Sequence, residues 1–167
     1  MAAELAAMRV SYEQKALDEA GLAATWHEQL LRWLGEAIRA GLAEPNAMVL
    51  ATAGRDGRPS SRTMLCKAVD ARGVVFFTSY SSDKSHDLLA TGWASATFPW
   101  LAMQRQAHLR GPAEKVPQAE TAAYWSTRPR GSQLGAWASA QSTTVTMLVS
   151  NSAMVAISRI PWYRPPA

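Results

Sequence analysis

The sequence predicts an α+β fold, with a mostly antiparallel β-barrel or sandwich at its centre and helices at its periphery. Three observations carry that prediction. One strongly periodic helix precedes a series of short strand-like runs. Compact turn signals separate those runs, Asp56-Gly57 being the clearest. The remaining helical stretches sit at connections instead of alternating regularly with strands, as a parallel sheet would require.

Residues 1–24 are Ala-rich and partly charged, which suits a frayed helix or a mobile arm. Thr25 and Glu28 form a capping-box pair at the start of the first firm helix. Trp26, Leu30, Trp33, Leu34, Ala37 and Ile38 then recur at three- and four-residue spacing, and Gly41 is its stop. From Ala47 the period changes. Residues 47–53 read as a buried strand, 54–57 as a turn, 60–69 as a second strand, 70–73 as a second turn and 74–79 as a third strand. A short helix is expected over 82–90 with Ser82 as its cap. Two more strands follow, over 94–100 and 105–110. Pro117 suits the first turn of a helix that runs to about Thr127 and ends at Arg128-Pro129.

The 167 residues, 48% hydrophobic and 18% charged, fit one core and exclude global disorder. A net charge of +4 suits either nucleic acid or phosphorylated small molecules. The basic residues are scattered, with no Lys/Arg run or nucleic-acid motif, so nucleic acid is not expected as a partner. Cys66 is the single cysteine, which removes an internal disulfide and a cysteine metal cluster. His27, His86 and His108 lack metal-ligand spacing. No signal peptide and no apolar run of membrane length is read, so a cytoplasmic location with no membrane partner is expected.

Several segments carry residues suited to chemistry. Arg62 and Lys67 lie in a run otherwise fit for burial, where unpaired charge is costly and phosphate is an apt partner. Their odd spacing points them to opposite faces of a regular strand, hence to two different anions; an edge strand with two solvated charges fits as well. In 76–84 a strand ends in hydroxyls and a helix begins with Lys84 in its first turn, which is either an anion site or a plain cap. Gln106, on a core-like strand, can donate and accept at a heterocycle edge or face outward. Cys66 and His108 read as structural. The segment 124–142 combines Trp125, Trp137, Arg128, Arg130, hydroxyls and amides around Pro129 and Gly131. Tyr124 and Arg128, four apart on one helix face, could converge with Ser132 on one phosphate; a polar helix end is the other reading. No Ser-His-Asp, Cys-His or paired-carboxylate set stands out, so an organic cofactor is expected to carry any chemistry.

Taken together, 44–52 (EPNAMVLAT), 62–67 (RTMLCK), 75–78 (VFFT), 96–100 (ATFPW), 105–106 (RQ) and 124–142 resemble, in order, the pyridoxine/pyridoxamine 5′-phosphate oxidase family, over roughly residues 26–142. The resemblance implies an FMN-binding split barrel acting as a homodimer, with flavin at the subunit interface. It implies FMN contacts by Arg62, Thr63, Met64, Leu65, Cys66, Lys67, Phe77, Thr78, Lys84, Gln106, Gln141 and Ser142. Arg62 and Lys84 would take the flavin phosphate, and Gln106 would face the ring. It implies that Lys67, Tyr124, Arg128 and Ser132 grip the substrate phosphate, with Arg9 and Tyr12 on an arm that closes over it. The reaction implied is oxidation of pyridoxine or pyridoxamine 5′-phosphate to pyridoxal 5′-phosphate, with O2 as acceptor and H2O2 as by-product.

Two departures accompany the resemblance. Asp83 stands where many members carry a basic residue, which weakens the expected FMN affinity modestly. The family's later strands, with their Trp-Gly-Gly, Phe-Trp-Gln-Gly and Arg-Leu-His-Asp-Arg stretches, have no counterpart in residues 146–167. The expected division is therefore an arm over 1–24, a split-barrel domain over 25–145 and a non-family tail over 146–167. A frameshift or early stop is the expected origin of that tail. The alternative function is a non-catalytic flavin- or phosphate-binding remnant, or an inactive truncated product.

Overall fold

The computed structural model describes residues 2–8, 18–139 and 141–142, and the backbone of 154–160. A short helix, α1 (Ala2–Ala7), precedes the main amphipathic helix, α2 (Trp26–Arg39). The capping box is present: Glu28 N–H donates to Thr25 Oγ1 at 3.4 Å, and Thr25 N–H donates to Glu28 Oε2 at 3.1 Å. Reciprocal bonds of this kind satisfy helix-start donors that would otherwise lack partners. Gly41 follows α2 with φ +69°, a conformation that glycine adopts without side-chain strain.

Two antiparallel sheets carry the remainder. The first has the order β2 (Pro59–Leu65), β1 (Ala47–Ala53), β5 (Trp93–Trp100), β6 (Arg105–Pro112). The second has the order β3 (Ala68–Asp70), β4 (Gly73–Ser79), β7 (Met154–Ile160). Between β4 and β5 lies α3 (Asp83–Thr91), and after β6 come α4 (Gln118–Thr127) and α5 (Arg130–Ala138). Alternation along β1 and β5 sends Met48, Leu50, Ala96 and Phe98 inward with no exposed surface. They meet Leu30, Leu34 and Ala37 of α2 and Phe76 of β4 in one core. Removing a ring as fully enclosed as Phe76 or Phe98 costs about 3–5 kcal/mol.

The expected continuous strand over 60–69 is two strands in two sheets. β2 pairs with β1, with Arg62 opposite Leu50, while β3 pairs with β4. The crossing is made at Cys66 and Lys67, and the hydrogen bonds there explain why it is tolerated. Cys66 N–H donates to Asn46 O at 2.9 Å, Asn46 Nδ2 donates to Cys66 O at 2.8 Å, and Lys67 N–H already reaches Val75 O at 2.8 Å. Every backbone group at the switch named here keeps a partner. Arg62 and Lys67 are therefore not on opposite faces of one regular strand, as their spacing predicts, because no single strand holds both.

Two further differences come from prolines. Pro117 is the N-cap of α4, not a first-turn residue. Pro129 likewise caps α5, a helix for which the sequence gives no clear periodic signal. A proline fixes its own φ near helical values and lacks an N–H, so it ends one helix and begins the next. β7 also carries no signal in the sequence pattern. It pairs antiparallel with β4, with residues 157 and 158 both standing opposite Phe76, a β-bulge in the ladder.

Candidate functional site

The junction from β4 to α3 is built from hydroxyls. Thr78, Ser79, Ser82 and Ser85 are all buried. Ser82 occupies the N-cap position of α3 but makes no side-chain cap bond; its Oγ donates to Ser79 O at 2.8 Å. The cap comes instead from Ser142, whose Oγ accepts from Asp83 N–H at 3.1 Å. Its neighbour Gln141 accepts through Oε1 from Lys84 Nζ at 3.1 Å and from Thr78 Oγ1 at 3.2 Å. Four residues expected at a cofactor, from three parts of the chain, therefore meet at one helix start.

Arg62 joins them from β2. Its Nη1 donates to Thr52 Oγ1 at 2.8 Å and to Ser60 O at 3.2 Å, and its Nη2 donates to Ser60 Oγ. Burial lowers the Arg62 guanidinium from its ordinary value, while the Asp87 and Asp83 charges oppose that shift. Lys84 is lowered too, first by burial and then by the Arg62 charge. Two cations pressed together and partly desolvated are an electrostatic demand for an anion. A phosphate group fits that charge, and Arg62 and Lys84 are the residues that would hold it. Asp83 is exposed and acts on both cations as a counter-charge.

A second set faces an open cavity of about 550 Å³, whose walls include Lys67, Phe77, Tyr124, Arg128, Ser132 and Gln141, with Thr63, Met64 and Leu65 of β2 and also Glu44. Lys67 is exposed. Tyr124 stacks on Phe77 with ring centroids 3.9 Å apart and planes 1° from parallel. Arg128 lies over the Trp125 ring, 5.4 Å from its centroid, and donates through Nη2 to Ser132 O at 3.0 Å. Gln133 Nε2 fixes the α4–α5 corner by donating to Arg128 O at 2.9 Å. Gln141 belongs to both sets, bonded to Lys84 and lining this cavity.

Not every expected residue converges. Gln106, exposed on β6, lines a different cavity of about 460 Å³ beside Trp26 and Trp33 of α2. The start of β6 is tied to α2 by Arg105, whose Nη1 meets Glu36 Oε2 at 2.5 Å and whose guanidinium stacks 5.1 Å from the Trp33 centroid. Cys66 is buried, and burial pushes its thiol up to about 11, as for an inert core residue. His108 Nδ1 is bonded to Thr97 Oγ1 at 2.8 Å. Arg9 and Tyr12 lie outside the described residues. Among the described residues, no group of three His, Cys, Asp or Glu side chains could hold a metal ion, and no helix is long and apolar enough to cross a membrane.

Thr52, Asp87 and Glu44 border these sites and were not singled out by the sequence. A signal existed for Thr52: it is the one hydroxyl in the inward series Met48, Leu50, Thr52, where a buried polar atom needs a partner.

Comparison with known proteins identifies the family. The family model described as pyridoxamine 5′-phosphate oxidase matches residues 34–155. A pyridoxine/pyridoxamine 5′-phosphate oxidase of Saccharopolyspora erythraea is 66% identical over 145 residues, covering 86% of this chain and 65% of that protein. One of the same name from Mycobacterium sp. (strain KMS) is 56% identical, covering 84% of this chain and 67% of that protein. The chain thus spans about two thirds of the length of these relatives. Among solved structures, PhzG from Burkholderia lata, in complex with tetrahydrophenazine-1-carboxylic acid, superposes with a TM-score of 0.78 at 29% identity, covering 87% of this chain and 82% of that one. A pyridoxamine 5′-phosphate oxidase-related, FMN-binding protein from Nostoc punctiforme shares the fold, with a TM-score of 0.69 at 16% identity, covering 83% and 82%. The chain belongs to the pyridoxamine 5′-phosphate oxidase family.

Proposed function

We propose that this member of the pyridoxamine 5′-phosphate oxidase family is an FMN-dependent oxidase of pyridoxine or pyridoxamine 5′-phosphate, yielding pyridoxal 5′-phosphate. The observation that carries the reading is the presence of two separate cation sets, Arg62 with Lys84 and Lys67 with Arg128, joined at Gln141. A flavin mononucleotide and a phosphorylated substrate bring one phosphate each. Arg62 and Lys84 would hold the flavin phosphate, with Thr78, Gln141 and Ser142 beside them. Lys67, Tyr124, Arg128 and Ser132 would hold the substrate phosphate, and Arg9 and Tyr12 would close over it. When bound, FMN supplies two-electron acceptance and reoxidation by O2, with H2O2 released.

The chain's own residues bind and align. Phosphate anchoring fixes one end of the substrate, so the carbon to be oxidised is presented in a restricted orientation. No strong side-chain base is required of the residues named. Gln106, which lines a separate cavity, fits the homodimer part of the reading, in which one copy's Gln106 meets flavin held by another. A cytoplasmic location belongs to the same reading.

The test is spectroscopic. The purified chain is mixed with FMN, freed of excess and titrated anaerobically with pyridoxine 5′-phosphate. Bleaching of bound flavin, with colour and H2O2 on admitting air, is the expected result. Bound flavin that stays yellow would replace the oxidase with a binding protein, and no bound flavin would remove the cofactor reading altogether.

A further inference from the structure

We infer that Thr52 and Asp87 are positioning residues for the flavin phosphate: the Thr52 hydroxyl, oriented by the Asp87 carboxylate, holds the Arg62 guanidinium ready to receive it. This rests on the flavin reading above and names two residues beyond those expected to touch the cofactor.

Strand register brings Arg62 and Thr52 together. Arg62 stands opposite Leu50 and Thr52 opposite Ser60, so Arg62 and Thr52 are diagonal neighbours on the face that also carries Met48 and Leu50. Thr52 is only 4% exposed. Its hydroxyl has a single proton, which goes to Asp87 Oδ2 at 2.7 Å, while its lone pairs accept from Arg62 Nη1 at 2.8 Å. A guanidinium can only donate and an ionised carboxylate can only accept, so the chain of donors runs one way, from Arg62 through Thr52 to Asp87. Without the carboxylate, the hydroxyl could turn its proton towards Arg62 and the contact would become donor against donor. Asp87 removes that state. The turn after β1 packs against the same carboxylate: a Cβ added at Gly54 would lie 3.2 Å from Asp87 Oδ1. Asp87 also offsets the crowding of positive charge, since it is the largest electrostatic influence favouring charged Arg62. The arrangement orders the guanidinium before any ligand arrives, which lowers the ordering cost of binding.

The test compares FMN with riboflavin, which lacks the phosphate. Dissociation constants for both are measured by flavin fluorescence on the wild-type chain and on Thr52→Val, Thr52→Ser and Asp87→Asn. Thr52→Val keeps the side-chain shape and removes the hydroxyl. Its FMN dissociation constant is expected to rise about tenfold, with riboflavin unchanged, and Thr52→Ser is expected to restore FMN binding. Asp87→Asn is expected to weaken FMN selectively but less, because its amide oxygen still accepts; should Thr52→Val not fold, this variant decides. Equal weakening of both flavins, or FMN binding unchanged in a folded variant, would overturn the assignment. A wild-type chain that binds no FMN removes the flavin reading and this inference with it. A wild-type chain that binds FMN no better than Thr52→Val removes the inference alone.

Discussion

Arg62 and Lys84 sit where a strand, a helix start and residues 141–142 meet, and hydrogen bonds to Thr52, Ser60 and Gln141 hold both side chains. Lys67 and Arg128 instead face an open cavity, Lys67 exposed and Arg128 braced at a helix–helix corner. The first pair is partly desolvated and ordered in advance; the second pairs an exposed lysine with a half-buried, braced arginine at the edge of an open cavity. That difference matches what each would hold. A resident cofactor benefits from charges whose ordering cost is already met, whereas a substrate that must leave after each turnover benefits from accessible ones.

The largest expected effect separates the pairs outright. Arg62→Ala is expected to weaken FMN about a hundredfold, by the loss of charge-assisted bonds to phosphate, with thermal unfolding checking that the chain still folds. Lys67→Met is expected to keep FMN and raise KM for pyridoxine 5′-phosphate about tenfold. Loss of FMN from Lys67→Met as great as from Arg62→Ala would erase the distinction between the two sets.

A pH titration sharpens it. Burial and the Arg62 charge hold Lys84 below the ordinary lysine value of 10.5. A cation lowered in the folded state favours the unfolded chain while protonated, so stability of the flavin-free protein rises as pH climbs from the folded Lys84 value towards 10.5. A bound phosphate favours the charged form, so FMN binding takes up a proton there. FMN affinity is therefore expected to fall as pH rises through that lowered value, and Lys84→Met to flatten this alkaline limb. An equally steep limb in the variant would assign the titration elsewhere.

The smallest effect concerns Asp83. It is exposed, so removing its charge with Asp83→Asn is expected to strengthen FMN only about two- to threefold at low salt, with the gain vanishing at high salt. Isothermal titration at two ionic strengths measures it. A gain that ignores salt would mean that Asp83 acts by packing or hydrogen bonding instead of charge.

What the sequence made legible follows from how local each signal is. The capping box and the heptad-like spacing of α2 are written within fourteen residues, and β1 is bounded by a turn at one end, so both are found where expected. The sheet switch at Cys66 and Lys67 is invisible locally, because an apolar run with β-branched residues reads the same whether or not it changes partners. α5 is masked by Pro129 and Gly131, which punctuate a sequence equally when they start a helix as when they stop one. β7 depends on β4, some eighty residues away, and no local pattern encodes a partner at that distance. At the sites, the hydroxyl–amide meeting of Thr78, Lys84, Gln141 and Ser142 is tertiary, yet the residue types were readable. Asp87 is not unusual in its own element, and the mark Thr52 carries, a lone hydroxyl in an inward apolar series, names no partner.

The sheet switch has one more consequence. Arg62 and Lys67 are five residue steps apart, which at full extension reach about 18 Å. The stretch works as a covalent ruler between the two charge sets. Its length, unlike a side-chain contact, cannot be relaxed by a rotamer change or screened by salt. A residue inserted between Leu65 and Ala68 would lengthen the gauge and would also have to rebuild the bonds that Cys66 and Lys67 make at the switch.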